Sequence, residues 1–248
     1  MSIVGIGPGD LSLFSQKALD ALQQCEIIVG YKTYIELLGD LVENKEIVSS
    51  GMTQEIKRAS YAIDKAMEGR SVSIISSGDP GIYGMAGIVL ELLDEKAYEK
   101  IDVEIIPAIS SAFACASLLG APLVHDFVVI SLSDLLTEWG VIEKRIRLAA
   151  EGDFVIVFYN PKSKKRVAPI NNAWNILMKY KPPQTPVGIV RNAYRKGEVV
   201  ELTNLENMLK SDKIDMFATI IVGNSNTFVR DNYMITPRGY ILPSNRDE

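Results

Sequence analysis

The sequence predicts an α/β protein of two lobes, with a mostly parallel sheet in the N-terminal lobe, a mixed sheet in the C-terminal lobe, and helices flanking both. Three observations predict it. Short apolar β-rich runs alternate with segments of helical spacing along the whole chain. At 248 residues the length falls between one domain and two. Near the midpoint Gly120-Ala121-Pro122 breaks the rhythm, so the expected domains are residues 1–121 and 122–248.

The elements follow in order. Residues 2–7 are an apolar run ending in glycine and read as a buried strand. Residues 13–22 have helical spacing, with Ser12 as the expected N-cap. Residues 26–29 are a short strand, and residues 54–67 an amphipathic helix that Gly69 stops. Strand 71–76, helix 84–93, strand 103–106 and helix 110–119 complete the first half. The second half reads as strand 127–130, helix 142–150, strand 154–159 and helix 172–179. Lys181-Pro182-Pro183 is a turn, and residues 187–190 and 218–222 are strands. Arg195-Lys196-Gly197 is hairpin-like, so residues 199–202 are expected to pair antiparallel.

Composition narrows the function classes. Lys plus Arg total 26 against 31 Asp plus Glu, a net charge of -5, so no global basic field favours nucleic acid. Cys25 and Cys115 lie far apart in apolar contexts and form neither a disulfide framework nor a zinc motif. His125 is the single histidine, which leaves no cluster of imidazole ligands. Residues 105–124 carry no charge over a length that could span a bilayer. Pro107, Gly120 and Pro122 make a strand, a loop and a buried helix the better reading. No basic, apolar leader is visible, so the expected location is the cytoplasm, with no membrane partner.

In α/β sheets ligands bind beyond the carboxyl ends of the strands. Small and polar turn residues recur there: Gly5-Ile6-Gly7-Pro8-Gly9-Asp10, Ser77-Gly78-Asp79-Pro80-Gly81, Pro107-Ala108-Ile109-Ser110-Ser111, Tyr159-Asn160-Pro161, Arg191-Asn192-Ala193 and Gly223-Asn224-Ser225. The first lacks the third glycine of a dinucleotide fingerprint, and Pro8 removes a backbone donor that a pyrophosphate needs. No P-loop motif occurs. A nucleoside without phosphates fits better, with Asp79 on its ribose hydroxyls. Asp79-Pro80-Gly81 reads equally as a plain β-turn.

These residues also carry a resemblance. Gly5-Ile6-Gly7-Pro8-Gly9-Asp10, followed about seventy residues on by Ser77-Gly78-Asp79-Pro80, resembles the tetrapyrrole methylase family. Val29-Gly30-Tyr31-Lys32-Thr33-Tyr34, Ser49-Ser50-Gly51-Met52, His125-Asp126-Phe127, Ile130-Ser131-Leu132-Ser133-Asp134-Leu135-Leu136 and Thr236-Pro237-Arg238-Gly239-Tyr240 resemble its ring-contracting branch. Ala108 departs from the pattern, which more often has glycine there.

The resemblance implies the two-lobed tetrapyrrole methylase fold, with S-adenosylmethionine as co-substrate in a cleft between the lobes. By position it implies a cofactor site of Pro8, Gly78, Asp79, Ser110, Ser111, Tyr159, Asn160, Ala193 and Thr219. It implies methylation at carbon 17 of precorrin-3B or its cobalt counterpart, with ring contraction and lactone closure. These steps need protons moved, for which His125, Asp126, Asp134 and Tyr83 are the catalytic candidates. Lys32, Arg191 and Arg238 are candidates for the substrate carboxylates. Cobalt is expected only as part of the substrate, with no metal held by the protein, and a homodimer is expected.

Several residues also have a plain structural reading. His125 could fix the Pro122 loop instead of moving protons. Lys162-Ser163-Lys164-Lys165-Arg166 is either a solvated loop or a contact for substrate carboxylates or RNA. Trp139 and Trp174 read as core, and Tyr31 and Tyr34 as a packed helix face or the border of a flat macrocycle. Rival functions are a diphthine synthase or rRNA methyltransferase type of the same family, a non-catalytic tetrapyrrole-binding protein, and a nucleotide-dependent oxidoreductase. The segment 125–136 speaks against the diphthine synthase and rRNA methyltransferase types, and Pro8 against the oxidoreductase.

Overall fold

The computed structural model describes residues 1–51, 53–93, 99–163 and 166–241. The chain divides into two compact units, Met1–Ser111 and Ala112–Glu248.

The first unit is built on an all-parallel sheet of β1 (Ser2–Gly5), β2 (Ile27–Tyr31), β3 (Glu46–Ser50), β4 (Val72–Ser76) and β5 (Glu104–Ile106), in the order β3-β2-β4-β1-β5. Alternating residues fill its two faces. Ile3, Ile27, Val29, Val72 and Ile74 pack against α3 (Glu55–Met67) and α4 (Met85–Leu92). Val4, Ile28 and Ile75 pack on the other side, where α1 (Gln16–Gln24) buries Ala18 and Leu22. Helix α3 presents Ala59, Ala62 and Ile63 at helical spacing and stops at Gly69, whose φ of +85° suits only glycine without strain. The short α2 (Lys32–Glu36) follows β2 directly.

The second unit holds a mixed sheet of β7 (Phe127–Ser131), β8 (Val155–Tyr159), β9 (Pro186–Arg191), β10 (Val199–Asn204) and β11 (Ala218–Val222), ordered β10-β9-β11-β8-β7. Only β7 and β8 pair in parallel; β10 with β9, β9 with β11 and β11 with β8 are antiparallel. Ile156, Phe158, Ile189 and Ile220 face α6 (Trp139–Glu151) and α7 (Ala168–Tyr180). Val155, Val157, Val190 and Ile221 face α5 (Ser111–Leu119). A small sheet of β6 (Gly120–Ala121), β12 (Phe228–Arg230) and β13 (Tyr233–Ile235) completes it.

The parallel and mixed sheets with helices on both faces are as the sequence predicts. The differences are local. The cap of α1 is Ser15, whose Oγ accepts from the Ala18 amide at 3.2 Å. Ser12 is unavailable because its amide and hydroxyl both donate to Asp10 Oδ1, at 2.8 and 2.6 Å. The compact units divide after Ser111, and α5 packs Ala112, Cys115 and Leu119 into the core of the second unit. Edge strand β3 escaped the periodicity because it is mostly exposed, with only Val48 and Ser50 partly covered. The little sheet escaped it because its strands are two or three residues long. Of the family-like motifs, Met52 lies outside the described residues.

Candidate functional site

Strand order places a switch point in the first unit. From β1 the chain leaves toward β2 on one side, and from neighbouring β4 it leaves toward β5 on the other. The loops therefore diverge at adjacent strands and open a crevice beyond their carboxyl ends. Here the loops after β1, β4 and β5 meet. The Gly7 amide donates to the Gly78 carbonyl at 3.2 Å, and the Gly78 amide to the Gly7 carbonyl at 2.8 Å. Both glycines have left-handed φ, +60° and +67°. A Cβ on Gly5 would stand 2.7 Å from Ala108 Cβ, 2.8 Å from Pro80 Cδ and 2.9 Å from the Gly78 carbonyl. Asp79 Oδ1 accepts from the Gly81 amide at 2.8 Å, and Oδ2 from the Ala108 amide at 3.0 Å. The side chain is thus both an Asx turn and a staple between two strand ends. Pro8 and Ser110 are buried beside it, and the Ser110 Cα lies 3.7 Å from where a Gly78 Cβ would be. Pro8, Gly78, Asp79, Ser110 and Ser111 therefore lie together at these strand ends.

Tyr83 closes the same loop. It is exposed and holds φ +53°, a costly conformation for a large side chain. Lys32 stands exposed at the start of α2, beyond β2.

In the second unit, register puts Ser131, Tyr159, Arg191 and Ala218 at one end of the sheet. Tyr159 Oη accepts from the Ala112 amide at 2.8 Å, fixing the start of α5. Asn160, with φ +54°, donates from Nδ2 to Ser131 Oγ at 3.0 Å. Ala193 is buried between Asn192 and Tyr194, both of left-handed φ, and Tyr194 Oη lies 2.9 Å from Ser117 Oγ on α5. Thr219 is buried on the same side, hydrogen-bonded to the Cys115 thiol. Tyr159, Asn160, Ala193 and Thr219 thus share one strand end. Arg191 does too, but its Nε donates to Asp215 Oδ2 at 2.8 Å and its guanidinium lies 5.7 Å from the Phe217 ring. Its reach toward a substrate carboxylate competes with that ion pair.

The acid–base candidates do not share one place. Asp134 follows β7, 3.7 Å from Arg166. His125 and Asp126 precede β7, at the opposite end of the sheet, where the Asp126 carbonyl accepts from the Val155 amide at 3.2 Å. A five-residue strand separates the two ends by about 13 Å. His125 Nδ1 accepts from the Asp126 amide at 2.8 Å and lies 3.5 Å from Asp126 Oδ2. Arg238 belongs to this end as well, with Nη1 3.4 Å from the Val124 carbonyl.

Sequence reasoning missed two inward-turned arginines. Arg58 is buried and donates to Ser50 Oγ at 2.9 Å and the Gly51 carbonyl at 2.8 Å, holding the loop beyond β3. Arg166, read above only as part of a basic run, donates to the Leu132 and Asn160 carbonyls. An isolated cation inside a charged run gives no sign in sequence of which member turns inward.

Neither thiol is poised for chemistry. Burial pushes Cys115 up from 9.0 to about 12, against the opposing Thr219 hydrogen bond, and raises Cys25 as well. Both should stay unlabelled by iodoacetamide at pH 8 in the native protein and react on unfolding, as mass spectrometry would show. The stability that the neutral Cys115 thiol contributes is complete below pH 9.0 and is lost as pH rises toward 12. Among the described residues, no group of three or more His, Cys, Asp or Glu side chains is arranged to hold a metal ion, and no helix is long and apolar enough to cross a membrane.

Residues 1–209 match the family model of Tetrapyrrole (Corrin/Porphyrin) Methylases. A cobalt-factor III methyltransferase of Priestia megaterium is 52% identical over 96% of the chain, which spans 44% of that relative's length. A probable cobalt-factor III C(17)-methyltransferase of Salmonella typhimurium is 51% identical over 98% of the chain and 100% of its own. The solved structure of the methyltransferase CobJ, 33% identical, superposes with a TM-score of 0.89 over 95% of this chain and 98% of that one. With the family model covering most of its length, the chain belongs to the tetrapyrrole methylase family.

Proposed function

We propose that this chain is an S-adenosylmethionine-dependent C-methyltransferase that methylates carbon 17 of cobalt-factor III or precorrin-3B, with ring contraction, in cobalamin biosynthesis. What carries the reading is the 51% identity across the full length of the Salmonella relative. We place the enzyme in the cytoplasm as a homodimer, with cobalt present only in its substrate.

The strand-end loops of the first unit suit a sulfonium donor. Residues 5–10, 77–84 and 107–111 contain no Lys or Arg, and they offer backbone groups and small side chains. A cationic sulfur tolerates carbonyl dipoles and is repelled by an ammonium. When bound, the donor supplies an electrophilic methyl carbon and departs as a neutral thioether, so no metal is needed to activate it. The chain's part is aim. Orientation of two reactants contributes up to about 7–11 kcal/mol. Asp79 and the reciprocal Gly7–Gly78 bonds hold the donor-side loops. Lys32, exposed beyond β2, is offered to a substrate carboxylate.

Ring contraction and lactone closure require proton transfer. Tyr83 and Asp134 stand beyond carboxyl strand ends and are the groups we assign to it. His125 and Asp126 stand at the far end of β7, and we assign them to the junction loop. A His125→Ala variant should therefore keep its turnover. A fall of ~10²–10⁴, the worth of a general acid or base, would return His125 to that role.

Calorimetry tests the donor. S-adenosylmethionine and S-adenosylhomocysteine should both bind, and NAD should not. NAD binding more tightly than the methyl donor would overturn the assignment.

A further inference from the structure

Arg166 lies beyond the carboxyl strand ends of the second unit, with its side chain 13% exposed. It donates through Nη1 to the Leu132 carbonyl and through Nη2 to the Asn160 carbonyl at 3.1 Å. It also faces Asp134 at 3.7 Å and Met216 Sδ at 3.8 Å. A planar guanidinium fork can hold two carbonyls and a carboxylate at once; a lysine cannot. Around it the segment after β7 is tied further. The Leu132 amide donates to the Tyr159 carbonyl at 2.9 Å, and the Ser133 amide to Ser131 Oγ at 3.2 Å. The same Ser131 Oγ accepts from Asn160 Nδ2.

This fixed segment ends in two leucines turned to solvent, Leu135 at 74% and Leu136 at 99% exposure. Isolated exposed leucines are ordinary. An adjacent pair on a loop pinned by a partly buried arginine is a different arrangement, because the pinning keeps them from folding back onto the protein's own core. The pair stands at the strand end that also gathers Tyr159, Asn160, Ala193 and Thr219.

We propose that residues 132–136, set in place by Arg166, form a specificity loop whose Leu135 and Leu136 pack on the flat apolar face of the tetrapyrrole substrate. The inference rests on the function proposed above. Arg166 is then a positioning residue, not a contact for substrate carboxylates, because its donors are already committed to the loop. A macrocycle is apolar on its faces and charged only at its rim, so two leucines offer it area without competing for its carboxylates. They also discriminate against small polar or polyanionic acceptors, which would gain nothing from them.

The test titrates a cobalt tetrapyrrole into parent and Leu135→Ser/Leu136→Ser double variant, following visible absorbance. Calorimetry with S-adenosylhomocysteine and sedimentation run alongside. The double variant should bind the pigment about 30-fold more weakly, the loss expected from uncovering part of two leucines. It should keep its melting temperature, donor affinity and sedimenting mass. Arg166→Met should lose pigment affinity as well, and Arg166→Lys should recover part of it. Unchanged pigment affinity in the double variant would overturn the inference. If that result came with a lower sedimenting mass, the leucines would belong to a contact between copies of the chain. A parent that binds no tetrapyrrole would instead remove the proposed function, and the inference with it; the parent titration alone reveals that case.

Discussion

Asp79→Ala should melt earlier than the parent and bind the methyl donor poorly. The carboxylate is a short bridge between two loops: one oxygen holds the Gly81 amide and the other the Ala108 amide. Hydrogen bonds to a charged group contribute about 1.5–3 kcal/mol each, and an amide left without its acceptor adds a desolvation cost. Removing the bridge frees the turn at residues 79–81 and unties the segment leading to buried Ser110. Asp79→Asn keeps one acceptor oxygen and should lose about half as much stability. A thermal melt with calorimetry on the same samples reads both effects. An unchanged melting temperature with lost donor affinity would mean that the carboxylate serves a ligand rather than the loops.

Gly5→Leu should be severely damaging at the donor-side loops. The position has no room even for a Cβ, since three atoms from two loops, those after β4 and β5, stand within 3 Å of it. Its φ is not the issue; the close approach is. Overpacking of this kind costs about 1–3 kcal/mol, and here the strain falls on the backbone of residues 78–80 and on Ala108. Donor binding should be abolished, because those loops form the crevice. Gly5→Ala should be partly relieved by Ala108→Gly. Relief is incomplete, since Pro80 and the Gly78 carbonyl still crowd the new methyl. A Gly5→Leu protein with parental donor affinity would show that the convergence of loops is irrelevant to binding.

Much of the molecule was legible in the sequence. Buried strands such as Val72–Ser76 and Ala218–Val222 announce themselves as apolar runs, because both faces of each are covered by helices. The strand-end loops were legible through their glycine, proline, serine and asparagine. What periodicity does not carry is competition for a hydrogen bond. Asp10 takes the amide of Ser12 and moves the helix cap to Ser15; Asp215 takes Arg191; two carbonyls take Arg166. Nor does it carry distance across a strand. His125 and Asp134 lie nine positions apart in sequence and look like neighbours, yet β7 runs between them and places them at opposite ends of a sheet. Gly120-Ala121-Pro122 breaks the secondary-structure rhythm, while the compact units divide where α5 first buries side chains in the second core.

The central claim is methyl transfer to a tetrapyrrole carbon, and one measurement addresses it directly. The purified chain is incubated anaerobically with cobalt-factor III and S-adenosylmethionine labelled in its methyl group, and the pigment is examined by mass spectrometry and carbon NMR. The account predicts one labelled methyl per tetrapyrrole, attached at carbon 17, with S-adenosylhomocysteine formed in equal amount. Pigment recovered without label while the donor remains intact, or label found at another ring position, would contradict it.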